Sequence, residues 1–227
     1  MTSLRWVGWV LVFLGASWAT AALVLWAREL RFLRDVLRGI VPSGRIRQRE
    51  DLVLIKNYLT SHIRYDRSRV NDPRPLLRAS ARRTLASGHG FCGENARVAM
   101  WLLGLGGVRC HRVYLEATVW KHILLEHQWE GAWKFFDAHA DPATVLPDDA
   151  VGRIESSDLA RLPNGHEGNA YVRSYRLRPF HRVAFLRRFE QLRLPGPLAL
   201  LVESPALLHA AAGGVVAAAG LACVGLA

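Results

Sequence analysis

Cysteine is scarce in this 227-residue chain, and its spacing does not suggest a framework of disulfide bonds. The 3 cysteines are an odd number with no paired spacing, which disfavours disulfides and agrees with a reducing compartment. No Cys-x-x-Cys or His-x-x-x-His pattern occurs either, so we expect neither a metal site nor a cofactor. Four residues could still supply ligands to a zinc ion if folding gathered them: Cys92, His122, His139 and Asp141.

Acidic residues and lysine are also in short supply. The chain has 30 basic residues against 19 acidic ones, a formal net charge of +11, and only 3 of the basic residues are lysines. The arginines are spread along the chain rather than gathered in one compact run, so we do not expect nucleic acid as a partner. We interpret the charge as a signal of membrane topology and of attraction to anionic lipid headgroups.

Charge is missing altogether from a long stretch near the N-terminus. Residues 6–27 contain no charged side chain, and about 20 apolar residues are enough to cross a bilayer as a helix. Arg5 and Arg28 flank this stretch, and tryptophans lie near both of its ends, where the membrane interface favours them. We therefore expect an uncleaved transmembrane helix in residues 1–28. A cleaved signal peptide is the alternative, because Ala19-Thr20-Ala21 resembles a cleavage site.

A second apolar stretch, residues 205–227, is built mainly of alanine and glycine, so its preference for lipid is weaker. Small residues four apart, Gly213 with Ala217 and Gly214 with Ala218, would let it pack closely on the first span. We expect a second membrane segment, with a buried hairpin or a flexible apolar tail as the alternatives. The inner flanks of both stretches are rich in arginine, which predicts a membrane protein of the inner or plasma membrane whose central domain is cytoplasmic.

The central part of the chain has the pattern of an α+β domain. We expect an amphipathic linker in residues 29–44 that continues the first helix along the membrane surface, a domain in residues 45–178, and a basic linker in residues 179–204. Helical spacing of apolar residues is followed by alternating, strand-like segments, with a tight turn at Glu130-Gly131. The predicted helices are 45–63, 76–85 and 93–103, and the predicted strands are 108–119, 122–129, 132–137 and 171–177. A helix followed by an antiparallel meander excludes a parallel α/β sheet.

Cys92 lies in a glycine-rich loop, Gly88-His89-Gly90-Phe91-Cys92-Gly93, that leads into the predicted helix 93–103. The start of a helix next to an imidazole is a setting that lowers the pKa of a thiol and makes it nucleophilic. With Glu130-Gly131 as a two-residue turn, paired positions of the hairpin sum to 261. His122 then lies one diagonal step from Asp137 on the same face of the hairpin, within reach of it.

These residues predict a nucleophile, a base and an orienting carboxylate. Cys92 would form a thiolate, His122 would pair with it and later protonate the leaving group, and Asp137 would hold the imidazole. The backbone N–H of Cys92 is a candidate oxyanion donor. His139 is an alternative base and Asp141 an alternative orienting carboxylate.

Residues 46–142 resemble the core of the transglutaminase-like superfamily of papain-like thiol enzymes. Three segments carry the resemblance: the Gly-x-Cys-Gly loop, Gly107-Val108-Arg109-Cys110-His111-Arg112-Val113, and the entry segment Ile63-Arg64-Tyr65-Asp66. Four single residues add to it: His122, Glu126, Trp133 and Asp137. The resemblance implies a nucleophile helix packed on an antiparallel sheet, with the N-terminal transmembrane helix and the C-terminal apolar helix added to it. It also implies that Glu126, Trp133 and Gly93 support the site rather than react. Arg112 stands one position later than is usual in the family, and Ala138 replaces its proline.

Two functional hypotheses follow. The first is a membrane-anchored cysteine hydrolase or acyltransferase that acts on a peptide or protein amide through a thioester on Cys92, with hydrolysis favoured because it needs only water. The second is a non-catalytic module that uses the same cleft to bind a peptide or carbohydrate in a membrane assembly. Of the other cysteines, Cys110 is expected in the core and Cys223 in the apolar tail, and strand parity places His127 on the outer face of the sheet.

Overall fold

The computed structural model describes residues 2–66, 78–116, 121–138, 150–158, 172–174 and 196–226. Within these residues the chain is a mixed α+β protein with six helices and two small sheets, in agreement with the predicted class. The helices are α1 (Thr2–Ile40), α2 (Arg49–His62), α3 (Ala81–Ser87), α4 (Cys92–Leu105), α5 (Gly196–Glu203) and α6 (Pro205–Gly225). The strands are β1 (Arg64–Tyr65), β2 (His89–Gly90), β3 (Cys110–Glu116), β4 (Lys121–Trp129), β5 (Ala132–Phe136) and β6 (Val172–Ser174).

The terminal helices α1 and α6 pack against each other in antiparallel directions. Their closest contacts are made by glycines, Gly8 with Gly220 and Gly15 with Gly213. A β-carbon on Gly15 would lie 2.5 Å from the backbone nitrogen of Ala217, so only glycine permits this approach. Gly214 points away, with nothing within 4 Å of where its β-carbon would be. The prediction of close packing was therefore right for Gly213 and Ala217 and wrong for Gly214.

Both terminal helices are long and apolar enough to cross a membrane. Their outward faces carry large apolar side chains, among them Trp6 at 73% exposure and Phe13 at 72%. α1 continues without a break past the apolar stretch, through the segment predicted as a linker, to Ile40. Leu33 and Leu37 in that segment are buried in the core of the α+β part rather than facing a membrane surface, because α1 packs there on α2, α3 and α4.

Helix α4 is the central element of the core. Every residue from Cys92 to Leu103 is buried, since α2, α3 and β4 all pack around the helix. The larger sheet has the antiparallel strand order β5-β4-β3-β6. Apolar side chains from one of its faces, including Ile123, Leu125 and Phe136, join the core that contains α4. The predicted packing of the helix on an antiparallel sheet is confirmed for these elements.

The β4–β5 hairpin has the predicted register. Glu130 and Gly131 form its turn with φ angles of 52° and 79°, the positive values that a two-residue hairpin turn of type I′ requires. Leu125 pairs with Phe136, and Trp129 pairs with Ala132. Each pair sums to 261, so the parity argument from the sequence applies to this hairpin.

One element occupies a region where the sequence predicted only a linker. Helix α5 (Gly196–Glu203) lies within residues 179–204, and its last residue is buried. The rest of that segment up to residue 195 lies outside the described residues. Strand β6 (Val172–Ser174) falls within the predicted final strand and pairs with β3.

Candidate functional site

The first turn of α4 is positioned by the small parallel sheet. Tyr65 in β1 pairs with Gly90 in β2, and its ring stacks on that of Phe91 with the ring centroids 5.6 Å apart. The backbone N–H of Phe91 donates to the Glu94 carboxylate at 3.0 Å, which closes the N-terminal end of the helix. Cys92 is therefore the first residue of α4, where unpaired backbone N–H groups and the helix dipole favour negative charge.

The predicted base and its orienting carboxylate are in direct contact. Nε2 of His122 lies 2.6 Å from Oδ2 of Asp137, and both side chains are buried. The Cys92 side chain lies near enough to the same imidazole to raise its pKa. The structure thus brings Cys92, His122 and Asp137 together from three elements. Cys92 begins α4, His122 lies in β4, and Asp137 directly follows β5.

The electrostatics of this group favour a protonated imidazole. Burial by itself would lower the pKa of His122, but the Asp137 carboxylate and the Cys92 side chain outweigh burial and raise that pKa to about 10. At neutral pH the ring is therefore an imidazolium held between two acidic groups. Such a ring can stabilise a thiolate and can also donate a proton to a leaving group.

Asn95 contributes a contact that the sequence did not suggest. Its Nδ2 donates to the backbone oxygen of Ala138 at 2.7 Å, in the buried interior. Ala138 directly follows Asp137, so this bond ties the segment after β5 to the nucleophile helix. An asparagine one turn into a helix gives no such signal by itself, because its partner is 43 residues away. Cys92, Asn95 and Asp137 line a narrow pocket together with apolar side chains of β4.

The three residues expected to support the site lie on the elements that carry it or lead to it: Gly93 in α4, Glu126 in β4 and Trp133 in β5. The backbone oxygen of Gly93 accepts a 2.8 Å hydrogen bond from Nη2 of Arg112. Glu126 is fully buried in β4, on the strand face that also carries His122. Trp133 packs against His111, with the ring centroids 4.7 Å apart. The supporting role of these three residues stays a prediction.

The other cysteines differ from Cys92. Cys110 is buried and its Sγ lies 3.4 Å from the backbone oxygen of Met100. Burial raises the pKa of Cys110 to about 12, so this residue remains a neutral thiol. Cys223 is partly exposed on α6, within the apolar helix pair.

The prediction for His127 was wrong. Strand parity does place it on the face opposite to His122, but that face is the one packed on the core, so His127 is fully buried. Its ring contacts those of Phe136 and Trp129. Burial, with a contribution from the positive charge of Lys134, lowers the pKa of His127 to about 4. The error arose because both faces of the sheet are covered, so parity alone does not identify an outer face.

The alternative residues His139 and Asp141 lie outside the described residues, so their predicted roles stay predictions. Within the described parts of the chain, no group of three or more His, Cys, Asp or Glu side chains could hold a metal ion. Next to the loop that leads to Cys92, an open groove is lined by Arg64, Tyr65, Asp66 and His89.

Comparison with known proteins gives one distant likeness. No family model matches the chain, and no curated protein matches it. A solved structure from Cytophaga hutchinsonii, described as a "putative cysteine protease", resembles the chain with a TM-score of 0.42 and 16% sequence identity. The likeness covers 63% of this chain and 48% of that protein, so the chain spans about half of its length. A likeness at this level does not carry chemistry from one protein to the other, and membership of the transglutaminase-like superfamily stays a prediction.

Proposed function

We propose that this chain is a membrane-anchored cysteine enzyme of the transglutaminase-like type that acts on a peptide or protein amide through a thioester on Cys92. The observation that supports the proposal most is the buried 2.6 Å contact between His122 and Asp137, with the Cys92 side chain near enough to raise the pKa of the same imidazole. A nucleophile, a base and an orienting carboxylate in this order of contact form the arrangement used in acyl transfer.

The chemistry follows from the three roles. The Cys92 thiolate attacks the amide carbonyl carbon and forms a carbon–sulfur bond, and the carbonyl oxygen becomes an oxyanion. The backbone N–H of Cys92 is the candidate donor to that oxyanion. The His122 imidazolium gives its proton to the leaving nitrogen as the carbon–nitrogen bond breaks, which leaves a thioester on Cys92 and a neutral imidazole.

Water completes the cycle. The neutral His122 ring removes a proton from water, the hydroxyl attacks the thioester, and the acid product leaves as the Cys92 thiolate re-forms. Asp137 keeps the ring in one orientation through both halves of the reaction. An amine in place of water would give transfer instead of hydrolysis. We favour hydrolysis because it requires no binding site for a second substrate.

The two terminal helices provide the proposed anchor. A bilayer would cover their exposed apolar faces, and the arginines that follow α1's apolar stretch favour the cytoplasmic side for the α+β part. A green fluorescent reporter fused after residue 160 should fluoresce in intact bacterial cells, since such a reporter matures in the cytoplasm. Signal only from a periplasmic reporter at the same position would contradict this orientation.

The second candidate function is the non-catalytic binding module. The low exposure of Cys92, 3%, is the observation that favours it, because a reactive thiol must be reached by substrate. This candidate predicts that Cys92 forms no acyl adduct that turns over.

An acylation experiment separates the two functions. The full chain in detergent micelles is incubated with p-nitrophenyl acetate, quenched in acid and mapped by peptide mass spectrometry. We expect one acetyl group on Cys92 that is lost again by hydrolysis, no such adduct in Cys92→Ala, and far slower acetylation of Cys92 in His122→Ala. Equal acetylation of Cys92 and Cys223, or an adduct on Cys92 that never hydrolyses in the unmodified chain, would support the binding module.

A further inference from the structure

A single buried carboxylate sits among three arginines beside the candidate site. The Oε2 atom of Glu203 lies 2.7 Å from Nη2 of Arg112, 3.3 Å from Nε of Arg97 and 3.9 Å from Nη1 of Arg78. All four side chains are buried. Among the described residues, Glu203 is thus the shared counterion of three positive charges. Such a group is stable only while its carboxylate is in place, because removing one partner leaves buried charges uncompensated.

The pKa shifts agree with this dependence. Burial would raise the pKa of Glu203, but the arginines, Arg112 foremost, lower it. Burial would likewise lower the pKa of Arg112, and Glu203 makes the largest contribution that raises it. The pKa of Arg97 is lowered to about 10, by burial and then by Arg112. Arg112 and Arg97 therefore repel each other, and Glu203 holds them together.

The guanidinium of Arg112 also reaches the residue that follows the candidate nucleophile. The same Nη2 that contacts Glu203 donates to the backbone oxygen of Gly93 at 2.8 Å. Gly93 directly follows Cys92 in the first turn of α4. Arg112 therefore holds the turn that carries the thiol, and Arg112 itself is held most closely by Glu203, at 2.7 Å, and more weakly by the hydroxyl of Tyr114, at 3.5 Å.

Glu203 is attached to the membrane-directed helix pair. It is the last residue of α5, and the next residue, Ser204, caps α6 by accepting a hydrogen bond from the backbone N–H of Leu207. α6 in turn packs along α1 through its glycine contacts. One residue thus separates the carboxylate from the helix that the bilayer would hold.

We propose that Glu203 is a positioning residue: it holds Arg112 against the first turn of α4, so that the reactivity of Cys92 depends on the docked α5–α6 segment. This inference rests on the proposed function, since it concerns the reactivity of the proposed nucleophile. Glu203 touches no reacting atom, and we assign its effect on Cys92 to Arg112 rather than to Arg97, which it also contacts in α4.

The test is the pH dependence of alkylation at Cys92. Full-length protein in detergent micelles is treated with iodoacetamide across a pH series, and the adduct on Cys92 is quantified by mass spectrometry. In Glu203→Gln, release of Arg112 should move the midpoint of the Cys92 profile up by about one pH unit and slow labelling below it about tenfold. Glu130→Gln is the matched control, because Glu130 also forms an ion pair, with Lys134, but is exposed on the β4–β5 turn. We expect it to leave the profile unchanged.

The direction of the shift separates positioning from simple charge. Loss of a nearby negative charge alone would favour the thiolate and move the midpoint down, so a downward or absent shift in Glu203→Gln overturns the inference. Arg112→Gln should reproduce the upward shift, and adding Glu203→Gln to it should change little further. Additive effects in this double variant would also overturn the inference.

Two further outcomes keep the test decisive. If Glu203→Gln does not fold, Glu203→Asp keeps the charge but shortens its reach, and it should give a smaller upward shift. An unchanged profile in Glu203→Asp together with an unchanged one in Arg112→Gln would refute the inference.

If Cys92 in the unmodified chain labels no faster than Cys223, the proposed function fails. If it labels faster but is insensitive to Glu203, only this inference fails.

Discussion

Replacing Asp137 by asparagine would remove the charge that keeps His122 protonated while hardly changing the size of the side chain. The carboxylate lies 2.6 Å from Nε2 of His122, and it is the main influence that raises the pKa of His122 to about 10 against burial. Without the carboxylate, burial opposes the remaining influence of Cys92 and should bring that pKa back to about its ordinary value of 6.5. At pH 8 the protonated fraction of His122 would then fall from nearly all molecules to about 3%, a loss of about thirtyfold.

This loss can be measured in two ways. In protein labelled with ¹³C-histidine, the His122 ring signal at pH 8 should move from the imidazolium to the neutral position in Asp137→Asn. Turnover of p-nitrophenyl acetate at the same pH should fall at least thirtyfold, because the active form requires the imidazolium. Asp35→Asn is the control, since Asp35 is exposed on α1. A folded Asp137→Asn variant that keeps a protonated His122, or turns over within twofold of the unmodified chain, would refute this reasoning.

The other predictions concern stability. Gly213→Leu should destabilise the α1–α6 pair by roughly 1–3 kcal/mol through overpacking, because a β-carbon there would lie 2.7 Å from the α1 backbone. Gly214→Leu should be nearly neutral, since nothing lies within 4 Å of where its β-carbon would be. Thermal unfolding in micelles compares the two variants, and equal effects would contradict the packing. His127 has a pKa of about 4 when folded and about 6.5 when unfolded, so the unfolded chain binds the extra proton between these values. Stability should therefore be complete above about pH 6.5 and fall by up to about 3 kcal/mol as pH drops to 4. In His127→Phe the fall in stability between about pH 6.5 and 4 that is due to His127 should disappear. An unchanged pH dependence of stability in this variant would contradict the attribution to His127.

The sequence was sufficient for features that local pattern determines. The turn at Glu130-Gly131 requires two positive φ angles, which glycine in particular accepts, and a two-residue turn leaves one register for the hairpin. That register places His122 beside Asp137. The glycine-rich loop followed by helical periodicity likewise located Cys92 at the start of α4.

Features that depend on distant partners could not be predicted. Glu203 lies in a stretch that reads as a basic linker, and its role depends on arginines from three other parts of the chain. Asn95 bonds a backbone oxygen 43 residues away. The burial of His127 follows from a sheet covered on both faces, which alternation along one strand does not reveal.

Selective alkylation of the cysteines tests the central claim most directly. Full-length protein in micelles is treated at pH 7 with a limiting amount of iodoacetamide, and the adducts on Cys92, Cys110 and Cys223 are quantified separately. A thiol activated by His122 should label at Cys92 well ahead of the other two cysteines, and this preference should collapse in His122→Ala. If Cys92 labels no faster than Cys223, or labels equally fast without His122, the imidazole does not activate the thiol and the proposed enzyme is contradicted.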